Sequence, residues 1–97
     1  MFIVLVNYKK PLEIVDQYLA AHRNFLEEGY SKNYFLVSGP RNPRDGGVII
    51  SLLDNRDQLN EIIKQDPFYI NSIADFNIIE FLPVKFNSAL SQFFKSH

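Results

Sequence analysis

The chain has 97 residues, of which 46% are hydrophobic, 14% aromatic and 22% charged, the make-up of one ordinary globular domain over 1–97 with no room for a second. It has no cysteine, which excludes a disulfide framework and thiolate chemistry and leaves nine Phe and five Tyr to supply stability by burial. Ten Lys and Arg against eleven Asp and Glu leave a net charge of -1, which excludes a global field drawing the chain to nucleic acid or to an anionic membrane.

Residues 2–8 are rich in β-branched and aromatic types and predict a first strand, bounded by Lys9-Lys10-Pro11. This apolar run is far shorter than the ~20 residues of a membrane span. Its lysines follow the run, where a signal peptide has them in front, so a cytoplasmic chain with an intact N-terminus is expected. Residues 12–28 carry a helical pattern, and Gly29 stands where a left-handed stop is wanted. Residues 34–38 predict a second strand, halted by Gly39-Pro40. The turn formers of 41–47 then lead to a third strand over 48–53, paired with the second as a hairpin.

Asn55 is placed to cap a second helix, with Gln58 three residues on and Leu59, Ile62 and Ile63 as its buried side. Pro67 ends that helix or begins a new short turn. Residues 75–83 predict a fourth strand, and Phe86, Leu90, Phe93 and Phe94 line one side of an extra C-terminal helix. The order strand, helix, strand, strand, helix, strand defines an α+β, ferredoxin-like βαββαβ architecture, an antiparallel sheet with two helices on one face.

A sheet with one wet face alternates apolar and polar residues, yet Phe2, Val4 and Val6 alternate with Ile3 and Leu5. The third and fourth strands behave alike. Two helices cover one face only, and the other exceeds the ~400 Å² of apolar surface that a monomer tolerates. Packing that face against a second copy predicts a homodimer. The competing arrangement folds the Phe-rich C-terminal segment back over it.

At about 100° per residue the first helix has an apolar arc. Ala21, Ile14, Phe25 and Tyr18 take one half of it, and Val15, Leu26, Leu19 and Leu12 the other. His22 falls near the middle. A buried imidazole needs a hydrogen-bond partner, because leaving it unpaired costs about 1–3 kcal/mol. Either His22 is a core residue bonded to a backbone carbonyl, or Asp66 meets it and the two form a general acid–base pair. Asp66, just before Pro67, also suits the N-cap of a short turn, and the two roles are compatible. Tyr18, Phe25 and Phe68 would wall a small ring, with Ser38 lining the same pocket.

Asn7, Ser51 and Glu80 interrupt apolar runs as Ser38 does, and an edge position accounts for any of the four. Arg41 and Arg44 are placed either to hold an anion near Gly46-Gly47 or to sit in a solvated loop. No phosphate-binding fingerprint is present. His22 and His97 have no metal-ligand spacing, so neither metal nor cofactor is expected.

The short first strand, Ala21-His22 with Phe25-Leu26, Ser38-Gly39-Pro40, Gly46-Gly47-Val48-Ile49-Ile50 and Asp66-Pro67-Phe68 stand together in this chain. In that combination they resemble the YciI-like family of the dimeric α/β-barrel superfamily. The resemblance runs to about Pro83. It implies a ferredoxin-like protomer, a dimer whose sheets meet, and His22 with Asp66 as an active-site pair in a cleft. It further implies cofactor-free lyase or isomerase chemistry on a small cyclic or aromatic molecule, as in a dehydrochlorinase of the family. A dimeric module that binds a small molecule or a protein without turnover is the alternative.

Overall fold

The computed structural model describes residues 1–94. Strands β1 (Phe2–Tyr8), β2 (Phe35–Pro40), β3 (Gly46–Ser51) and β4 (Ala74–Glu80) form one antiparallel sheet in the order β2-β3-β1-β4. Helix α1 (Leu12–Ser31) links β1 to β2; α2 (Arg56–Ile63) and the four-residue α3 (Pro67–Ile70) lie between β3 and β4. This is the ferredoxin-like βαββαβ arrangement, with β3 inserted between β1 and β2.

The register shows which residues share a face. Phe2, Val4 and Val6 of β1, Ile49 of β3 and Phe35 of β2 are buried under the helices, together with Leu59, Ile62 and Ile63 of α2 and Phe68 of α3. Burying each such side chain contributes about 1.5–3 kcal/mol. On the opposite face Ile3 pairs with both Ile50 and Ile79, and Ile50 pairs with Val37. One apolar row therefore runs across all four strands, and its ends, Val37 and Ile79, are 54% and 44% exposed.

The C-terminal segment leaves the ends of that row open, with Val37 and Ile79 exposed. Leu82 and Val84 keep 77% and 86% of their surface exposed, which contact with that row would remove. The expected extra C-terminal helix is present in 3-10 form. Residues Ser88–Phe93 make a 3-10 helix, and the rings of Phe86 and Phe94 meet at 4.6 Å. An isolated helix this short is marginal without a surface to pack on, which explains the weaker turn. Lys95, Ser96 and His97 lie outside the described residues.

The limits of β2, β3 and β4 shift by one to three residues from those the sequence predicts, β3 ending at Ser51 in place of residue 53, and three of the shifts have a backbone reason. β2 continues through Gly39 and Pro40, which pair with Val48 and Gly47. As an edge strand β2 can accept a proline that lacks an N–H. β3 starts at Gly46, whose missing side chain lets Val6 O approach to 1.9 Å from where a Cβ would stand, so the loop shrinks to residues 41–45. β4 is shorter than residues 75–83, for its pairing stops at Glu80, opposite Phe2 where β1 begins.

Gly29 is no left-handed stop. α1 runs through it to Ser31, and Asn33 takes the positive φ of 59°. Gly29 is instead where α1 touches β2, since an added Cβ would lie 2.2 Å from the Phe35 ring. Gly29→Ala gains about 1 kcal/mol of helix propensity but forces overpacking that costs up to about 3. A net loss of about 2 kcal/mol in a denaturant titration is expected, and a stabilised variant would contradict the contact.

Candidate active site

α1 has three buried residues, Val15, His22 and Gly29. They are seven apart, and seven residues return a helix to within ~20° of the same direction, so they form the line along which α1 sits on the sheet. His22 occupies the middle of that line, as the arc predicts. The N-terminus of α3 points at it from below. Asp66, extended before Pro67, caps α3 by accepting from Phe68 N–H at 2.9 Å on Oδ1, and both of its carboxylate oxygens face His22 Nδ1, at 2.9 and 3.0 Å. The expected cap and the expected imidazole partner are thus one carboxylate in both roles.

Asp66 is 0% exposed. A carboxylate has no hydrogen to give, so Nδ1–H donates and Nε2 carries the free lone pair. Nε2 has no protein partner, and no buried side-chain nitrogen or oxygen among the described residues is left unpaired, so Nε2 reaches open space. The imidazole also lies flat on Phe68, centroids 4.1 Å apart and planes 6° from parallel, while Tyr8 meets the edge of Phe68 at 5.9 Å. One turn thereby holds the ring by its edge and by its face.

Beside His22 opens a cavity of about 640 Å³ between α1 and the glycine end of the β2–β3 hairpin. α1 lines it with Leu19, His22, Arg23, Leu26, Glu27 and Tyr30, a stripe of i+3 and i+4 steps. Opposite stand Phe68 of α3, Val6 and Tyr8 of β1, and Ser38, whose Oγ shares a 2.5 Å hydrogen bond with Tyr30 Oη. Gly39 and Gly47 leave the floor open.

Of the wall residues expected from sequence, Ser38 and Phe68 face the cavity with His22. Tyr18 and Phe25 do not. Relative to His22 they lie on the other half of the arc, where they pack against the core, Phe25 with its ring 5.8 Å from Phe35. The cavity lies on the Leu19 and Leu26 half. Ser51 is buried and donates to Tyr34 O, a structural role. Arg23, Glu27 and Tyr30 went unassigned as site residues in the sequence; the i+3/i+4 stripe that includes His22 is the signal that could have found them.

The two loop arginines divide. Arg41 is consumed within the loop, donating from Nε to Asp45 Oδ1 at 2.8 Å, from Nη2 to Asp45 O and from Nη1 to Gly47 O. That bond holds the Asp45 carboxyl below the usual carboxylate range. Arg44 instead reaches from the loop to α1, donating from Nη2 to Asp16 Oδ1 at 2.5 Å. The bond keeps Asp16 below its ordinary value, with the charges of Arg44 and Arg23 adding to it, and keeps Arg44 above its own, with the Tyr8 hydroxyl also contributing.

The chain is thus a small α+β, ferredoxin-like protomer in which a carboxylate-held histidine stands beside an open cavity. The chain belongs to the YCII-related domain family, whose model matches residues 1–82. Among curated proteins none matches it. Among solved structures it is similar to 5-chloro-2-hydroxyhydroquinone dehydrochlorinase (TftG) from Burkholderia phenoliruptrix AC1100 in complex with 2,5-dihydroxybenzoquinone. The two share 18% identity over 84% of this chain and 94% of that one, with a TM-score of 0.70, and at that identity the likeness speaks for the fold. No helix among the described residues is long and apolar enough to cross a membrane. None of their His, Asp or Glu residues form a group able to hold a metal ion.

Proposed function

We propose that the protein is a cofactor-independent lyase or isomerase acting on a small cyclic or aromatic molecule in the cavity, with His22 as the proton-transfer group and Asp66 as its positioning residue. The observation that carries this is the polarity of the imidazole: Nδ1–H is fixed on a buried carboxylate, so the lone pair of Nε2 is presented to the cavity.

In the forward step Nε2 accepts a proton from a substrate C–H or O–H. The electron pair left behind forms a new π bond as an anionic group leaves, in a lyase, or as an existing double bond moves, in an isomerase. In the isomerase the imidazolium returns its proton to the far end of the system. Asp66 stabilises the charged ring while it exists. Leu19, Leu26 and Phe68 supply the apolar walls that hold a ring. The ligand named with the related dehydrochlorinase, a dihydroxylated quinone, is of the size and kind this reading requires.

The working unit in this reading is a homodimer. The row Val37, Ile50, Ile3 and Ile79 is the surface it buries, because the chain's own helices lie on the other face.

A second reading rests on the capping bond to Phe68 N–H: His22 and Asp66 staple α1 to α3 in a non-catalytic binding module. His22→Gln separates them. Assayed on chlorinated hydroxyquinols and enol lactones, it is expected to lower kcat per folded molecule about 10²- to 10⁴-fold. Native-like turnover in the variant removes the proton-transfer role. A large melting shift, with no turnover by the native chain on any of these compounds, favours the staple.

A further inference from the structure

Two arginines from different elements, Arg23 of α1 and Arg44 of the β2–β3 loop, line the cavity that His22 faces. Glu27 is the carboxylate on the same wall, while Asp66 is sealed behind the imidazole. Of the charged side chains lining the wall two are cationic and one anionic, and Asp16, bonded to Arg44 from outside the lining, offsets the remaining positive charge.

The guanidinium of Arg44 has an open edge. Its Nη2 is taken by Asp16 and the Tyr8 hydroxyl of the same cavity wall lies beside it, while no carboxylate or carbonyl among the described residues accepts from its Nε or Nη1. Arg41, three residues earlier, has all three of its nitrogens satisfied. One of the two arginines therefore holds the loop together, and the other presents free donors to the cavity. A planar fork with two free N–H positions fits an anionic oxygen.

We propose that Arg44 is the specificity residue of the cavity and selects a ring that bears an anionic oxygen, an ionised hydroxyl or a carboxylate, bound at its open Nε and Nη1 edge while Asp16 holds Nη2. The proposal rests on the reading of the cavity as a site for a small ring and adds the charge that ring must carry. Arg23 contributes to the same potential from the helix side.

The test measures binding by calorimetric titration of the full chain with three probes: 2,5-dihydroxybenzoquinone, whose hydroxyls ionise at neutral pH, benzoate, and neutral 2,5-dimethoxybenzoquinone. The native chain is expected to bind at least one of the anions about tenfold more tightly than the neutral quinone. Preference for dihydroxybenzoquinone alone assigns the anion as an ionised hydroxyl, and for benzoate alone as a carboxylate. Arg44→Met is expected to abolish the preference and to leave the neutral quinone's affinity within about twofold.

Asp16→Asn removes the competing charge and is expected to tighten the anion about threefold. If Arg44 and Asp16 only clasp the loop to the helix, the two variants weaken all three probes alike, and the proposal fails. Equal native affinity for anion and neutral ring, or an unchanged preference in Arg44→Met, also overturns it. His22→Gln distinguishes this from the reaction itself: native-like turnover in that variant, with the anion preference intact, rejects the chemistry and leaves the charge selection standing.

Discussion

Replacing Asp66 with alanine is expected to lower the unfolding free energy by about 3 kcal/mol. Loss of an N-cap costs about 0.5–2 kcal/mol. A buried donor left without a partner costs a further 1–3 kcal/mol, and here that donor is His22 Nδ1–H in a site sealed by Phe68. For a chain of this length about 3 kcal/mol corresponds to a fall of ~10–20 °C in melting temperature. Asp66→Asn keeps an acceptor for Phe68 N–H and for Nδ1–H, so its stability loss is expected to be nearer 1 kcal/mol. The amide lacks the charge that stabilises an imidazolium, and in the proposed chemistry turnover falls with Asn even though the fold survives. Calorimetric melts of both variants check the ranking. An alanine variant that melts with the native chain would mean the carboxylate does not hold the ring.

In the proposed dimer, Leu5→Glu is expected to separate the protomers with their fold intact. Leu5 lies on the face away from the helices, between Val48 and Asn77, so a carboxylate there is solvated in the isolated protomer. In a dimer closed over this face it would be buried without a partner, a penalty of about 3–5 kcal/mol that raises the dissociation constant by at least ~10²-fold. Light scattering at micromolar concentration gives the mass of native and variant chains. A monomeric native chain, or a variant that stays dimeric, removes the sheet face as the interface.

Most of the fold could be read from the sequence because its signals are local. The β-branched run of β1, the Asn55 cap that accepts from Gln58 N–H, and the arc of α1 each depend on neighbours within a few residues. The errors fell where a glycine or proline answers to a distant backbone. Gly29 and Gly46 resemble turn residues, but their lack of a Cβ serves Phe35 and Val6 O, partners that only the tertiary arrangement supplies.

The candidate site divides in the same way. His22 stood out as the one imidazole in an apolar arc, and Asp66 as a cap before proline. Which half of the arc faces open space is decided by where the hairpin glycines lie across the sheet, so Tyr18 and Phe25 could not be told from Leu19 and Leu26 by pattern alone. Arg44 was distinguished from Arg41 only by where its side chain ends, which spacing does not encode.

The union of cap and imidazole partner in Asp66 ties the lifetime of the site to that of a single helical turn. α3 has four residues, and short turns open more readily than the strands beside them. Each opening would free the imidazole edge through Asp66 and its face through Phe68 together. The site therefore has no half-assembled state in which the ring keeps its orientation. The Phe68 amide, shielded by the same carboxylate, exchanges with solvent only when that turn opens, and its exchange rate counts those openings.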